Sequence, residues 1–235
     1  MVQVIKEGTV EPSAAIRVLF SKTGALVYTA HLDLVRTVTK AIKRARIPVR
    51  YSEGFNPHPR LSFATAMSIG LESTYEFMDI RIDKNVDLDA VREALRASLT
   101  EECLVREVYF PKTKFTDILY SSYHIEIVTA GANEALAEAC MEALRAPEVI
   151  VFKRSKSGDK DTDVSPCIKE IKGDFADGTI RIDAVLNADN ATFLNPEYLI
   201  TYLKEKLGIL SGDPLQERYS ICRTGLYTAS MELFR

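Results

Sequence analysis

The sequence lacks the motifs that mark the common nucleotide-dependent enzymes and serine hydrolases. It contains neither a glycine-rich P-loop nor a Gly-x-Gly-x-x-Gly run after a predicted strand. A Gly-x-Ser-x-Gly element is also missing. An ATP-driven or hydrolase mechanism therefore has no support in the sequence.

Cysteine is scarce and scattered. A [4Fe–4S] cluster needs clustered thiolates, so this chain is not expected to carry one. Widely separated cysteines indicate reduced, mostly buried thiols. Zinc would need three or four ligands, and His31, His58 and Glu53 have no recognised ligand spacing. We expect no metal and no cofactor. The four cysteines are Cys103, Cys140, Cys167 and Cys222.

Long apolar runs are lacking, and so is a large net charge. No stretch of about 18 apolar residues occurs, and the N-terminus does not join a charged segment to an apolar core. We therefore expect a soluble, cytoplasmic protein with no membrane partner. The 30 basic and 33 acidic residues give a net charge of −3, which points to no class of partner.

Positive charge is nevertheless concentrated in one region. Positions 36 to 60 hold seven basic residues and one acidic residue, Glu53. Such a block is compatible with a phosphate-rich ligand, and equally with a solvated helix face. The basic residues are Arg36, Lys40, Lys43, Arg44, Arg46, Arg50 and Arg60.

The hydrophobic pattern of residues 32–46 predicts an amphipathic helix that ends before Pro48. Its apolar residues recur at intervals of three and four, which places them on one buried face. The same spacing stacks four cations on the opposite side. We call these four the basic stripe: Arg36, Lys40, Lys43 and Arg44.

The order of the predicted elements indicates an α+β protein of two tandem ferredoxin-like units, each βαββαβ with an antiparallel sheet. In the N-terminal half we predict strands at 16–20, 26–29, 61–69, 75–82 and 104–110, and helices at 32–46 and 88–99. In the C-terminal half we predict strands at 123–129, 148–152, 168–171, 179–186 and 219–227, and helices at 133–145 and 196–207.

Domain boundaries follow from this order. We expect a loose leader at 1–14, an N-terminal ferredoxin-like domain at 15–111 and a C-terminal one at 121–235, with a linker between the two domains. The charged run at 153–163 is predicted to be an exposed hairpin or loop.

Polar groups converge in residues 51–60, which we call the Gly-Pro loop. Gly54 permits a turn that a side chain would obstruct, and Pro57 and Pro59 fix φ on both sides of His58. Stiff loops of this kind often carry a site, although glycine and proline also punctuate ordinary hairpins.

The loop offers contacts of several kinds to RNA. Tyr51 and Phe55 are candidates for stacking on unpaired bases, as in many proteins that bind single-stranded RNA. Asn56 and His58 would contact a base edge or a ribose, and Arg60 a phosphate group. Most strand aromatics are core residues, so we select only the two aromatics in the loop.

His31 lies at the start of the basic helix. If the fold brings it near His58, the two imidazoles could act as general base and general acid. The alternative is that His31 is a structural residue bonded to neighbouring backbone.

Several segments together resemble the radical-SAM-linked family of uncharacterised bacterial proteins. They are Phe20-Ser21-Lys22-Thr23-Gly24, His31-Leu32-Asp33-Leu34, Tyr51 to Phe63, and Gly70-Leu71-Glu72-Ser73. The likeness continues at Lys156, Gly158, Lys160, 163–171, Asn195-Pro196 and 223–227, and so covers the chain from about residue 15. Ala30 stands where the family usually has serine before His-Leu-Asp-Leu.

The resemblance implies a context rather than a reaction. Members of that family occur beside, or fused to, radical SAM proteins of the type that also carry a cobalamin-binding-like domain. The chain would then be an accessory to, or a detached domain of, a radical SAM enzyme. In architecture the two predicted units also resemble CRISPR repeat-processing RNA endonucleases, a likeness of fold that does not fix function.

Three functions remain open from the sequence. The first is an RNA-binding accessory protein that presents RNA, such as tRNA, to a radical SAM partner; the second is a protein-interaction scaffold for that partner without nucleic acid. The third is a metal-independent endoribonuclease that uses His31 and His58. The predicted RNA-binding residues are Arg36, Lys40, Lys43, Arg44, Tyr51, Phe55, Asn56, His58 and Arg60.

Overall fold

A computed structural model describes residues 4–8, 14–153 and 158–235. The chain divides into two compact units. Unit 1 runs as far as Phe115 and includes Arg235, and unit 2 comprises Thr116–Phe234.

Unit 1 is an antiparallel sheet covered by two helices. Its elements in chain order are β1 (Ala15–Lys22), α1 (His31–Arg44), β2 (Leu61–Phe63), β3 (Glu72–Arg81), α2 (Leu88–Arg96) and β4 (Val105–Tyr109). Strand β1 lies between β4 and β3, and β2 pairs with β3.

Unit 2 contains four antiparallel sheet strands, a separate hairpin and two helices. Its elements are β5 (Tyr120–Val128), α3 (Glu134–Leu144), β6 (Ile150–Lys153), β7 (Lys160–Asp163), β8 (Ile168–Ala176), β9 (Thr179–Asn187), α4 (Glu197–Leu207) and β10 (Arg218–Tyr227). The sheet order is β10, β5, β9, β8, and β6 pairs with β7. Both units mix helices with antiparallel strands, so the predicted α+β class is confirmed.

The core of unit 1 lies between its two helices and one face of the sheet. Helical periodicity brings Leu34, Val38 and Ile42 to that face, where they are buried. Alternation along β1 brings Val18 and Phe20 to the same layer. Helix α1 is thereby held with its opposite side in solvent.

Helix α2 begins as the sequence predicts. The Asp87 carboxylate accepts a hydrogen bond from the backbone N–H of Ala90 at 3.0 Å and pairs with Lys6 at 2.9 Å. The Ala90 hydrogen bond and, after it, the Lys6 interaction hold the pKa of Asp87 below its ordinary value.

Two predicted strands are wrong in whole or in part. Residues 26–29 do not form a strand: Gly24–Tyr28 is a 3₁₀ helix, in which the Leu26 amide bonds to Thr23 O and the Thr29 amide to Leu26 O. These local bonds occupy amides that a strand would offer to a neighbour. The strand predicted at 61–69 ends at Phe63, because β2 pairs with only one part of β3.

The run at 153–163, predicted to be a hairpin or loop, contributes residues 160–163 to the β6–β7 hairpin, and the predicted leader contains paired residues. Val4 is buried, and its carbonyl accepts from the Asp87 amide at 2.9 Å, while Ile5 bridges to Val86. Residues 1–3 and 9–13 of the predicted leader lie outside the described residues, as do 154–157 of the predicted 153–163 loop. Among the described residues, no helix is long and apolar enough to cross a membrane.

A buried ion pair joins β1 to β3 on the sheet face opposite the α1 core. The guanidinium of Arg17 donates to both carboxylate oxygens of Asp79, at 2.7 and 2.9 Å. It also donates to Thr113 Oγ1 at 2.8 Å and to Thr113 O at 3.0 Å, and lies 4.4 Å from the centre of the Phe115 ring. The Arg17 side chain is 1% exposed and that of Asp79 16%. One arginine thus ties the segment after β4 to the sheet.

We expect Asp79→Asn to lower the free energy of unfolding by about 3 kcal/mol, because it leaves the buried guanidinium without its counter-charge. Equilibrium urea unfolding at pH 7 measures the difference. The matched control is Asp33→Asn, which removes a carboxylate from an exposed pair with Arg36. Exposed pairs contribute about 0–1 kcal/mol, so equal losses in the two variants would contradict the structural role of the Arg17–Asp79 pair.

Candidate functional site: a histidine-lined groove

The basic stripe lies on the solvent side of α1. All four of its side chains are exposed. Arg36 pairs with Asp33 at 2.8 Å, and Arg44 donates to the carbonyl of Ser98 at 2.6 Å. Within the described part of the chain, Lys40 and Lys43 make no ion pair with a carboxylate. The two lysines are therefore the members of the stripe best able to meet an outside anion.

The Gly-Pro loop is closed by backbone pairing at its base. Tyr51 bridges to Pro59, and the Ser52 amide donates to the His58 carbonyl at 2.8 Å. At the tip, Gly54 has a φ of +121°, a conformation that L side chains rarely adopt. This explains why glycine occupies that position.

Ser52 holds His58 at two points. Its hydroxyl accepts from the His58 amide at 3.1 Å, and its Oγ lies 3.0 Å from His58 Nδ1. The carbonyl of Asn56 lies 3.4 Å from the same ring nitrogen. With Nδ1 engaged inside the loop, Nε2 is the ring nitrogen available to a ligand. Ser52 is not among the site residues predicted from the sequence.

The predicted RNA-contacting residues of the loop are in solvent. Phe55 at the tip is fully exposed and Tyr51 is 39% exposed. Asn56 and Arg60 are also exposed. An aromatic ring that gains no burial in the fold is available for stacking on another flat group.

The fold brings His31 and His58 to one groove, which answers the question that the sequence left open. The groove has a volume of about 340 Å³. Helix α1 forms one wall, and the end of the loop with β2 forms the other. We call it the histidine groove; its lining is His31, Val35, Thr39, His58, Pro59, Leu61, Phe63 and Ala64.

The α1 residues that line the groove are adjacent on the helix to the basic stripe. His31, Val35 and Thr39 recur every four residues and so form one row. Arg36 and Lys40 each follow a lining residue, so they stand about 100° further round the helix. A ligand in the groove would have cations beside it.

Besides Ser52, Lys22 and Glu76 were not identified as site residues from the sequence. Lys22 and Glu76 are nearly buried, and they line a second, very small cavity that also contacts His31. One signal was available: Lys22 continues the alternation of apolar residues along β1, which puts a charge at a position where the pattern expects a core side chain.

The third histidine lies elsewhere. His124 belongs to unit 2, where its Nδ1 is 2.8 Å from a carboxylate oxygen of Asp183 on the neighbouring strand. Within residues 4–8, 14–153 and 158–235, no three His, Cys, Asp or Glu side chains are arranged to hold a metal ion.

Fold and site together define a mixed α+β protein with a cation-flanked, histidine-lined groove in unit 1. The chain belongs to the family described as an uncharacterized protein conserved in bacteria (DUF2344), whose model matches residues 15–196. No curated protein matches the sequence.

Two solved structures are similar to this chain at low sequence identity. A chain of a Cbf5-Nop10-Gar1 complex is similar with a TM-score of 0.50 and 11% identity, over 91% of this chain and 49% of that one. A chain of the archaeal box H/ACA sRNP Nop10-Cbf5 complex is similar with a TM-score of 0.46 and 9% identity, over 95% of this chain and 57% of that one. The protein thus spans about half the length of these structures, and the likeness concerns fold alone.

We expect Ser52→Ala to speed hydrogen exchange at the His58 amide roughly fivefold, because it removes a hydrogen bond worth about 1 kcal/mol. Native-state exchange followed by NMR measures the rate. Ser62→Ala, at an exposed position of β2, is the control and should leave that rate unchanged. Equal rates in the Ser52 variant and the parent would mean that the hydroxyl does not hold the loop.

Proposed function

We propose that this protein is an RNA-binding module that presents a structured RNA, such as a tRNA, to a radical SAM partner. The observation that carries the proposal is the histidine groove, whose α1 wall bears the basic stripe and whose other wall is the end of the Gly-Pro loop. A nucleotide is both a flat apolar ring system and an anion, and this groove offers contacts to both parts.

The charge of the site favours a phosphate backbone. Lys40 and Lys43 are exposed beside the groove, and Arg36 adds a third cation at the cost of its pair with Asp33. Each phosphate that a lysine neutralises releases condensed counterions, which supplies affinity that falls with salt. A protein with a net charge of −3 gains this attraction only where its cations are clustered.

The lining of the groove favours a base or a ribose. Val35, Pro59 and Leu61 supply an apolar surface, and the two imidazoles supply hydrogen-bonding groups within it. Phe55 and Tyr51 are exposed elsewhere in the Gly-Pro loop, where unpaired bases can stack on them. Asn56 and Arg60 are exposed in the same loop.

Tandem ferredoxin-like units and a radical SAM partner are both part of the proposal. The tandem units are supported by the order strand, helix, two strands, helix, strand, which occurs in unit 1 and again in unit 2 when the β6–β7 hairpin is set aside. The radical SAM partner is supported by the resemblance of the segments around Lys22, His31, the Gly-Pro loop and Gly70 to proteins encoded beside such enzymes.

We expect the double substitution Lys40→Glu and Lys43→Glu to weaken binding of a fluorescent tRNA, because attraction between two lysines and phosphate groups becomes repulsion. The slope of log affinity against log salt should fall by about one for each lysine–phosphate interaction that the substitutions remove. Fluorescence anisotropy at several salt concentrations measures both quantities.

The matched control is Lys204→Glu with Lys206→Glu, which makes the same change of charge on the exposed face of α4 in unit 2. Equal binding by the parent and the stripe variant would reject the RNA-binding proposal. Salt-resistant co-purification with the radical SAM protein would then favour the scaffold function.

The shared groove also supports a second candidate, a metal-independent endoribonuclease. His31 and His58 line the same space, so one imidazole could take the proton of a ribose 2′-hydroxyl while the other protonates the leaving 5′-oxygen. The phosphodiester P–O bond would break as the 2′-oxygen attacks phosphorus.

We expect such an enzyme to cleave RNA in the presence of EDTA, and His58→Ala to eliminate the cleavage because the second proton-transfer group is lost. Gel analysis of a labelled tRNA over time gives the rate. His124→Ala changes a histidine of unit 2 and should retain the parent rate. Intact RNA after long incubation with the parent protein would exclude this candidate.

A further inference from the structure

The buried face of the sheet becomes charged at the end nearest the start of α1. Along β1, Val18 and Phe20 are fully buried apolar residues, and the next residue on the same side is Lys22, which is 2% exposed. A lysine this deeply buried is uncommon unless a partner or a function retains it.

A carboxylate faces the same layer from β3. Glu76 is 6% exposed and lies directly opposite Phe20 in the β1–β3 pairing, so both side chains are on one face of the sheet. The buried thiol of Cys103 is close by: burial, and after it the Glu76 charge, raise the pKa of Cys103 to about 12. The carboxylate of Glu76 therefore lies in the buried layer of the sheet.

Both charged residues converge on His31. Lys22, Glu76 and His31 line one cavity of about 10 Å³, which is no more than the space for a single water molecule. The three side chains therefore border the same small space. Thr65 lines the same cavity and adds a hydroxyl.

His31 lines both this cavity and the histidine groove, and Phe63 also lines both. The His31 ring packs edge-on against Phe63, with 5.3 Å between ring centroids. The titratable groups that face it are Lys22 from β1, Glu76 from β3 and His58 across the groove. On its own helix, Asp33 pairs with Arg36.

We propose that Lys22 and Glu76 are positioning residues for His31, which act through opposite charges beneath the imidazole to set its protonation while its other side meets a phosphodiester in the groove. This rests on the proposed use of the groove for RNA. The carboxylate favours the imidazolium and the ammonium disfavours it.

The test is an NMR titration of the histidine rings in the protein without ligand. Glu76→Gln removes the negative charge that lines the cavity and should lower the pKa of His31. Lys22→Met removes the positive charge that lines the cavity and should raise the pKa of His31. We expect each shift to be about half a pKa unit or more. Shifts of opposite sign support the inference, because a general loosening of the structure would change the pKa of His31 in the same direction in both variants.

The chain contains three histidines, so the spectra can be assigned with His58→Asn and His124→Asn variants. His124, in unit 2, should keep its pKa in both charge variants and serves as the internal control. If Lys22→Met fails to unfold cooperatively, Lys22→Gln replaces it. A His31 pKa that is unchanged, or that moves in the same direction in both variants, would overturn the inference.

The titration also separates this inference from the proposed function, since no RNA is present. If the pKa of His31 shifts in opposite directions in the two variants but the protein does not bind tRNA, the coupling is retained and the RNA role is rejected. If the parent protein binds RNA but the pKa of His31 is the same in the parent and in both charge variants, the coupling is rejected and the RNA role is retained.

Discussion

The antiparallel pairing of β1 with β3 is the interaction on which unit 1 depends. Arg17 lies directly opposite Asp79, and Phe20 lies opposite Glu76. Because successive residues of a strand point to opposite faces, the same ladder builds an ion pair on one face and a helix-covered core on the other. A slip of one residue would exchange the two faces, so the ion pair and the core specify the register together.

The walls of the histidine groove are held in place through the pairing of β1 with β3. Strand β2 pairs with β3, which places Phe63 beneath His31, and the Gly-Pro loop is closed at its base just before β2 begins. The loop itself makes few buried contacts, and its order comes from backbone pairing and from Ser52. Stiff walls with exposed side chains suit recognition of a flexible polymer, since little conformational entropy is left to lose on binding.

Periodic features of the sequence were predictable and irregular ones were not. The buried and exposed sides of α1 follow from a 3.6-residue period over more than ten residues. The segment at 26–29 was misread as a strand because a few apolar and β-branched residues fit a strand and a 3₁₀ turn equally well. The strand predicted at 61–69 was too long because an apolar pattern does not reveal where the partner strand stops.

The amino-acid sequence by itself determined the α+β class, the solvent-facing cations of α1 and the stiff loop around His58, because each depends on residues close together in the chain. Only the tertiary structure decided that His31 and His58 line one groove and that Lys22 and Glu76 line a cavity with the same His31. Those relations join β1, α1, the loop and β3, and they follow from strand register and helix packing, which no local pattern encodes.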